Sequence, residues 1–172
     1  PGLRLGWVDA DPSLRKLLEH AKQAMDTCTS VPIQRAAADF LAEGLLQGHL
    51  GRVLGLYRER KDAMVGSLGT HFGDAIHATN PDGGFFLWVT FKNDAIDTGK
   101  LFEPALAEGV AFIPGHALTL TGGFRNGLRL CFATSTPERI DVGIRRLRTA
   151  VERTFGSIQG SAWTSSGGPP AL

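Results

Sequence analysis

The chain has 172 residues, of which 42% are hydrophobic and 20% charged, a balance typical of a globular domain and not of a disordered segment. Its 18 basic and 17 acidic residues leave a net charge of +1, which argues against binding to nucleic acid or to an anionic membrane surface. No apolar stretch approaches the ~20 residues of a transmembrane helix. Two cysteines without metal-binding spacing, Cys28 and Cys131, favour a reducing, cytoplasmic setting in which both thiols are packed as small hydrophobic side chains.

The first half of the chain is predicted to be mainly helical. Residues 3–8 have the pattern of a short strand, for which no partner strand is predicted nearby, so we expect its sheet to lie outside this chain. Asp11 and Pro12 then predict the start of a helix, and a second helix is predicted over residues 32–48. A third helix, long and amphipathic, is predicted from about His49 to Phe72.

The second half changes to short apolar runs typical of strands: FFLWVTF at 85–91, VAFIPG at 110–115 and LRLCFAT at 128–134. The first of these is apolar throughout and is predicted to be a buried strand. Between the first two, a short helix is predicted to stop at Gly109. The last helix is predicted to begin at Pro137, with Ser135 or Thr136 as its cap. Residues 156–172 are rich in Gly, Ser and Pro and are predicted to be a disordered tail. This order predicts an α/β fold with helices on one face of a short sheet.

Two arginines are the main candidates for ligand binding. Arg4 and Arg129 lie in the apolar stretches GLRLGW and GLRLCF. A buried guanidinium needs a partner, and its fork of donors suits a phosphate or carboxylate; an edge strand whose arginine faces water explains the pattern equally well. Glycine turns occur in NPDGGFF and IPGHAL, where they serve either as plain turns or for close approach to a ligand. The five histidines do not cluster, so no metal site is predicted.

Several segments in a fixed order resemble one protein family. They are PGLRLGW, AAADFLAEG, GHLGRVLGLYRERKDAM, PDGGFFLWV, GVAFIPG and NGLRLCFATSTPERIDVGIRRL. Over residues 1 to about 154 the chain resembles the carboxy-terminal part of a fold-type I pyridoxal-phosphate-dependent aminotransferase, particularly the aminoadipate and kynurenine aminotransferase-like group. The resemblance implies that residues 1–48 are the incomplete end of the large cofactor-binding domain. Residues 49–155 would then be a connector helix and the small carboxy-terminal domain, followed by the tail 156–172.

The same resemblance assigns roles to individual residues. It implies that Arg4 binds the phosphate of pyridoxal 5'-phosphate, that Arg129 binds the substrate α-carboxylate, and that Gly84 belongs to a turn near the substrate. Pro114 and Gly115 match a loop that approaches the site, while the neighbouring His116 leaves the substrate's side chain open. The lysine that forms the Schiff base would fall just before residue 1. No lysine of the chain matches it, so no catalytic residue is assigned and the chain alone is expected to be inactive.

The activity implied for a full-length parent is transfer of an amino group between an amino acid and a 2-oxo acid, by a cytoplasmic homodimer in amino-acid metabolism. One alternative is the aminotransferase-like effector domain of a winged-helix transcription regulator. Another is a small α/β partner domain without a cofactor.

Overall fold

The computed structural model describes residues 2–157 and divides the chain into two compact units, Pro1–Val53 and Leu54–Leu172. The predicted tail beyond Ser157 lies outside the described residues. The helices are α1 (Pro12–Asp26), α2 (Val31–Ala42), α3 (Leu45–Phe72), α4 (Thr98–Ala107) and α5 (Pro137–Phe155). The strands are β1 (Ile76–Ala78), β2 (Phe86–Phe91), β3 (Ile113–Pro114) and β4 (Gly127–Cys131). No helix among these residues is long and apolar enough to cross a membrane.

The first unit contains α1, α2 and the start of α3. Helix α1 begins as predicted, because the Asp11 carboxylate accepts a hydrogen bond of 2.9 Å from the backbone N–H of Ser13 and Pro12 occupies the first turn. Neither α1 nor α2 contains a buried residue. The apolar side of α1 is therefore open in this unit, with Leu14 and Leu17 among its exposed residues.

Two predictions for this unit were wrong. Residues 3–8 form no strand, because a strand needs a neighbour for its N–H and C=O groups and none is present among residues 2–157. The second helix ends at Ala42, so that α3 starts at Leu45 and not near His49. Gly44 causes the interruption: its φ of +70° is left-handed, and its N–H bonds to the carbonyl of Leu41 at 3.0 Å.

The second unit is built on a four-stranded antiparallel sheet in the order β1-β2-β4-β3. Strand β1, which has only three residues, was not predicted. Side chains alternate between the faces of the sheet. One face is buried and forms a single core cluster with α3, α4 and α5; its strand residues include Leu87, Val89, Leu128 and Leu130. The α/β prediction with helices on one face of a short sheet is thus confirmed.

The other face of the sheet, here called the open face, carries Phe86, Trp88 and Thr90 of β2 together with Arg129 and Cys131 of β4. The prediction of a buried strand at 85–91 therefore holds for only one side of β2. The prediction that both cysteines are packed was wrong, because Cys131 alternates with the buried Leu130 and Cys28 follows the exposed end of α1; both thiols are exposed.

Candidate functional site

Arg129 lies near the centre of the open face. Strand β4 runs between β2 and β3, and Arg129 pairs with Trp88 on one side and with Ile113 on the other. Antiparallel partners project from the same face, so Trp88 and Ile113 share the open face with Arg129 as its cross-strand neighbours. This position excludes the edge-strand explanation that the sequence left open.

The guanidinium of Arg129 has no polar partner within residues 2–157. Its Nε is fully buried and makes no hydrogen bond with any of them. Its Cζ lies 4.1 Å from the ring centroid of Phe86, a cation–π contact. Buried donors are nearly always hydrogen-bonded in folded proteins. A partly buried, unpaired arginine on an apolar surface is therefore suited to receive an anion.

The glycine turn before β2 has a conformational role. Gly84 has a φ of +79°, which favours glycine, and it precedes the Phe85–Phe86 pair at the start of the strand. A side chain built at Gly84 would meet nothing within 4 Å among residues 2–157. Gly84 thus turns the chain at the entry to β2, and no atom of the described residues crowds it.

The loop after β3 is held tightly against the segment before β4. A Cβ atom on Gly115 would lie 2.2 Å from the carbonyl oxygen of Phe124 and 2.8 Å from that of Gly127. Pro114 pairs with Leu128, directly beside Arg129 in the strand. The predicted approach loop is therefore built next to Arg129.

His116, in contrast, lies against the start of α4. A Cβ atom on Gly99 would be 2.7 Å from His116 Cε1. The imidazole is thus placed near the amino-terminal end of α4, where Asp97 caps the helix.

Asp97 and Thr98 anchor the segment that leads into β4. Arg125 donates two hydrogen bonds to Asp97 Oδ2, from Nε at 3.1 Å and from Nη2 at 2.8 Å. This pairing, helped by backbone N–H donors at the start of α4, holds the pKa of Asp97 below its ordinary value. The buried hydroxyl of Thr98 lies 2.7 Å from the carbonyl oxygen of Gly127 and 3.0 Å from that of Arg125. These contacts fix where β4 begins and hence where Arg129 points.

A second polar cluster joins α3 to α5 but does not form a nucleophilic triad. Asp141 Oδ1 accepts a hydrogen bond of 2.8 Å from Ser67 Oγ and lies 3.1 Å from His71 Nε2. Asp141 thus lies between Ser67 and His71, whereas in a catalytic triad the histidine lies between the serine and the aspartate. The hydroxyl of Ser67 lowers the pKa of Asp141 most, followed by His71. Among the described residues no group of three or more His, Cys, Asp or Glu could hold a metal ion.

Arg4 lies in the first unit, whereas Arg129 lies in the second. Its side chain is exposed and makes no hydrogen bond or ion pair with any described residue. Its φ is +52°, a conformation that costs a non-glycine residue about 1 kcal/mol or more and that clusters at ligand-binding sites. An exposed, unpaired guanidinium on such a backbone fits a phosphate group.

The residues that sequence reasoning missed are Phe86 and Trp88. Both belong to an apolar run that was interpreted as wholly buried. The signal that could have found them is the position of Arg129 in the neighbouring run, since an arginine on one strand marks a face that its cross-strand partners share.

Comparisons with known proteins agree with the sequence resemblance. The profile of the family described as aminotransferase class I and II matches residues 1–147. An aromatic-amino-acid aminotransferase of Thermococcus litoralis is 37% identical over 152 residues, which are 88% of this chain and 36% of that protein. An uncharacterized HTH-type transcriptional regulator of Bacillus subtilis, YisV, is 31% identical over 157 residues, which are 91% of this chain and 32% of that protein.

Among solved structures, the chain resembles the α-aminoadipate aminotransferase LysN of Thermus thermophilus, crystallised with N-(5'-phosphopyridoxyl)-L-leucine. The TM-score is 0.78 at 36% sequence identity, and the match covers 90% of this chain and 39% of that one. The chain therefore spans less than two fifths of the length of these relatives.

Proposed function

The chain belongs to the aminotransferase class I and II family, and on that premise we propose that it is the carboxy-terminal part of a pyridoxal-phosphate-dependent aminotransferase. The complete protein transfers an amino group between an amino acid and a 2-oxo acid. The observation that carries this proposal is the unpaired guanidinium of Arg129 on the open face of the sheet.

In this proposal Arg129 binds the α-carboxylate of the substrate. Two parallel N–H donors of a guanidinium match the two oxygens of a carboxylate. Phe86 lies against the cation, and Trp88 and Ile113 are its apolar cross-strand neighbours on the same face. Apolar surroundings strengthen the pairing of the guanidinium with an anion. Arg129 thus holds and orients the substrate. Gly84 shapes the turn that brings Phe86 to this position.

We propose that Arg4 binds the phosphate of pyridoxal 5'-phosphate. Its exposed guanidinium carries a permanent charge and has no partner within residues 2–157, so its donors are free for a phosphate. Bound pyridoxal phosphate supplies an electron sink for reactions at the substrate's α-carbon.

The chain alone is proposed to be inactive, because none of its lysines matches the family position that bonds to the cofactor. Two of them are in ion pairs with neighbouring carboxylates: Lys22 with Asp26, and Lys61 with Asp62 at 3.2 Å. The complete protein is proposed to be a cytoplasmic homodimer, as the sequence resemblance implies.

The test is amino transfer by the complete protein, whose coding region is read in frame upstream of residue 1. The protein is loaded with pyridoxal phosphate and given 2-oxoglutarate as acceptor, with aromatic, aliphatic and acidic amino acids as donors in turn. We expect glutamate to form with at least one donor and only when the cofactor is present. Absence of glutamate with every donor, from folded and loaded protein, would contradict the proposal.

The second candidate is the effector domain of a transcription regulator, which the 31% identity to YisV favours. The upstream coding region separates the two functions. A helix-turn-helix module there, with DNA binding that responds to pyridoxal phosphate, supports the regulator. A complete large domain behind a short arm, with amino transfer, supports the enzyme.

A further inference from the structure

Three aromatic rings form a continuous stack that ends on Arg129. Tyr57 of α3 lies 6.1 Å from Phe85, between ring centroids, and Phe85 lies 4.5 Å from Phe86. The ring of Phe86 then lies 4.1 Å from Arg129 Cζ. Tyr57 also packs edge-on against the fully buried Phe132 at 6.2 Å, so the far end of the stack is fixed to the core.

The backbone places Phe86 beside Arg129. Phe86 pairs with Cys131 across the β2–β4 ladder, which makes Arg129 its diagonal neighbour on the same face, within reach of a ring and a long side chain. The N–H of Phe132 donates to the carbonyl oxygen of Phe85 at 3.2 Å and closes this end of the ladder.

Phe86 is not needed to fill the core. It is 38% exposed and lies outside the core cluster, whereas Phe85 and Tyr57 pack against that cluster. Packing into the core of the described residues therefore does not explain its position, whereas its contact with the Arg129 guanidinium does.

We propose that Phe86 is a positioning residue for the carboxylate site: it holds the guanidinium of Arg129 over its ring and so orients the N–H donors for the substrate carboxylate, and Tyr57 supports Phe86 through Phe85. This inference rests on the proposed role of Arg129. A cation lying on the face of a ring keeps its in-plane donors free for another partner. The flexible Arg129 side chain is then already ordered before the ligand binds, and the affinity is higher because binding no longer has to order it.

The experiment measures binding of 3-phenylpropionate and of its uncharged amide to the complete, cofactor-loaded protein by calorimetry. The variants are Phe86→Leu, Phe86→Tyr and Phe86→Met, and Phe102→Leu is the matched control. Phe102 is a half-buried phenylalanine of α4 that contacts Phe112 and not Arg129. Thermal unfolding of each variant shows that it is folded.

We expect Phe86→Leu and Phe86→Met to weaken binding of the acid roughly two- to fivefold, with binding of the amide unchanged. Phe86→Tyr keeps the acid affinity because it keeps an aromatic ring, and Phe102→Leu leaves both affinities unchanged. Equal loss of acid and amide affinity, equal loss in the Phe102 variant, or no loss in either apolar variant overturns the positioning role.

These outcomes are distinct from failure of the proposed function. If the complete protein transfers amino groups and binds the acid more tightly than the amide, but substitutions at Phe86 leave the acid affinity unchanged, the proposed function stands and the positioning role of Phe86 is wrong. An unmodified protein that binds acid and amide equally well lacks the Arg129 carboxylate site, and the inference fails with it.

Discussion

Replacement of Thr98 by valine tests how the segment before β4 is held. Thr98 is fully buried, and its hydroxyl has one proton for two carbonyl oxygens, those of Gly127 at 2.7 Å and Arg125 at 3.0 Å. Valine has nearly the same shape but no donor. The change leaves a buried carbonyl without its partner, so we expect the free energy of unfolding to fall by about 1–3 kcal/mol.

The assay is urea unfolding of the 172-residue chain, followed by far-ultraviolet circular dichroism. Thermal unfolding gives a second readout, because each kcal/mol lost lowers the melting temperature by about 2–4 °C in a chain of this length. The matched control is Thr70→Val, because Thr70 is exposed and bonds only to the carbonyl oxygen of Gly66 in its own helix. If Thr98→Val destabilises the chain no more than Thr70→Val does, the buried hydroxyl does not hold this segment and the reasoning is refuted.

Two further predictions concern the same region. Arg125 lowers the pKa of Asp97 below its ordinary value of 3.8, so the stabilisation from this pair is complete above pH 3.8 and is lost as the pH falls through the lower pKa of the folded protein. Asp97→Asn should remove part of that acid dependence in unfolding titrations between pH 2 and pH 6. An unchanged pH dependence would contradict the pairing. Gly115→Ala places a Cβ atom 2.2 Å from the carbonyl oxygen of Phe124 and should lower the free energy of unfolding in urea by about 1–3 kcal/mol. In the control Gly123→Ala the nearest atom is 3.7 Å from the new Cβ, so the loss should be much smaller. Equal losses would show that the loop adapts freely to the added methyl group.

Much of the second unit could be predicted from local chemistry. Helix α5 begins at Pro137 with Thr136 as its cap, and α4 is followed by Gly109 with a left-handed φ of +79°, both as the sequence indicated. Caps and glycine stops depend on one turn of backbone, so the residues themselves specify them.

The open face could not be predicted in the same way. Phe86 and Trp88 are as apolar as the buried Leu87 between them, and apolarity does not reveal which side of a strand the helices cover. Cys131 shows the same limitation, since its exposure follows only from its register with Phe86. The short strand β1 has too few residues to show any period.

Arg129 could be predicted as a candidate site residue from the sequence, but its place in the sheet could not. Its position in an apolar run made it a candidate, but the choice between an edge strand and a ligand-binding strand depends on neighbours distant in the sequence. Trp88 and Ile113 lie 41 and 16 positions away, and only their pairing places the arginine inside the sheet.

The most direct test of the central claim compares Arg129→Lys with Arg145→Lys in the amino-transfer assay of the complete protein. Lysine keeps the charge but loses one of two charged hydrogen bonds to the carboxylate, which is worth about 1.5–3 kcal/mol, so we predict that kcat/KM falls roughly 10- to 150-fold for Arg129→Lys. Arg145 is exposed on α5 and pairs with Asp141, away from the open face, so its lysine variant should retain kcat/KM. If Arg129→Lys keeps kcat/KM as well, Arg129 does not bind the substrate carboxylate and the central claim is contradicted.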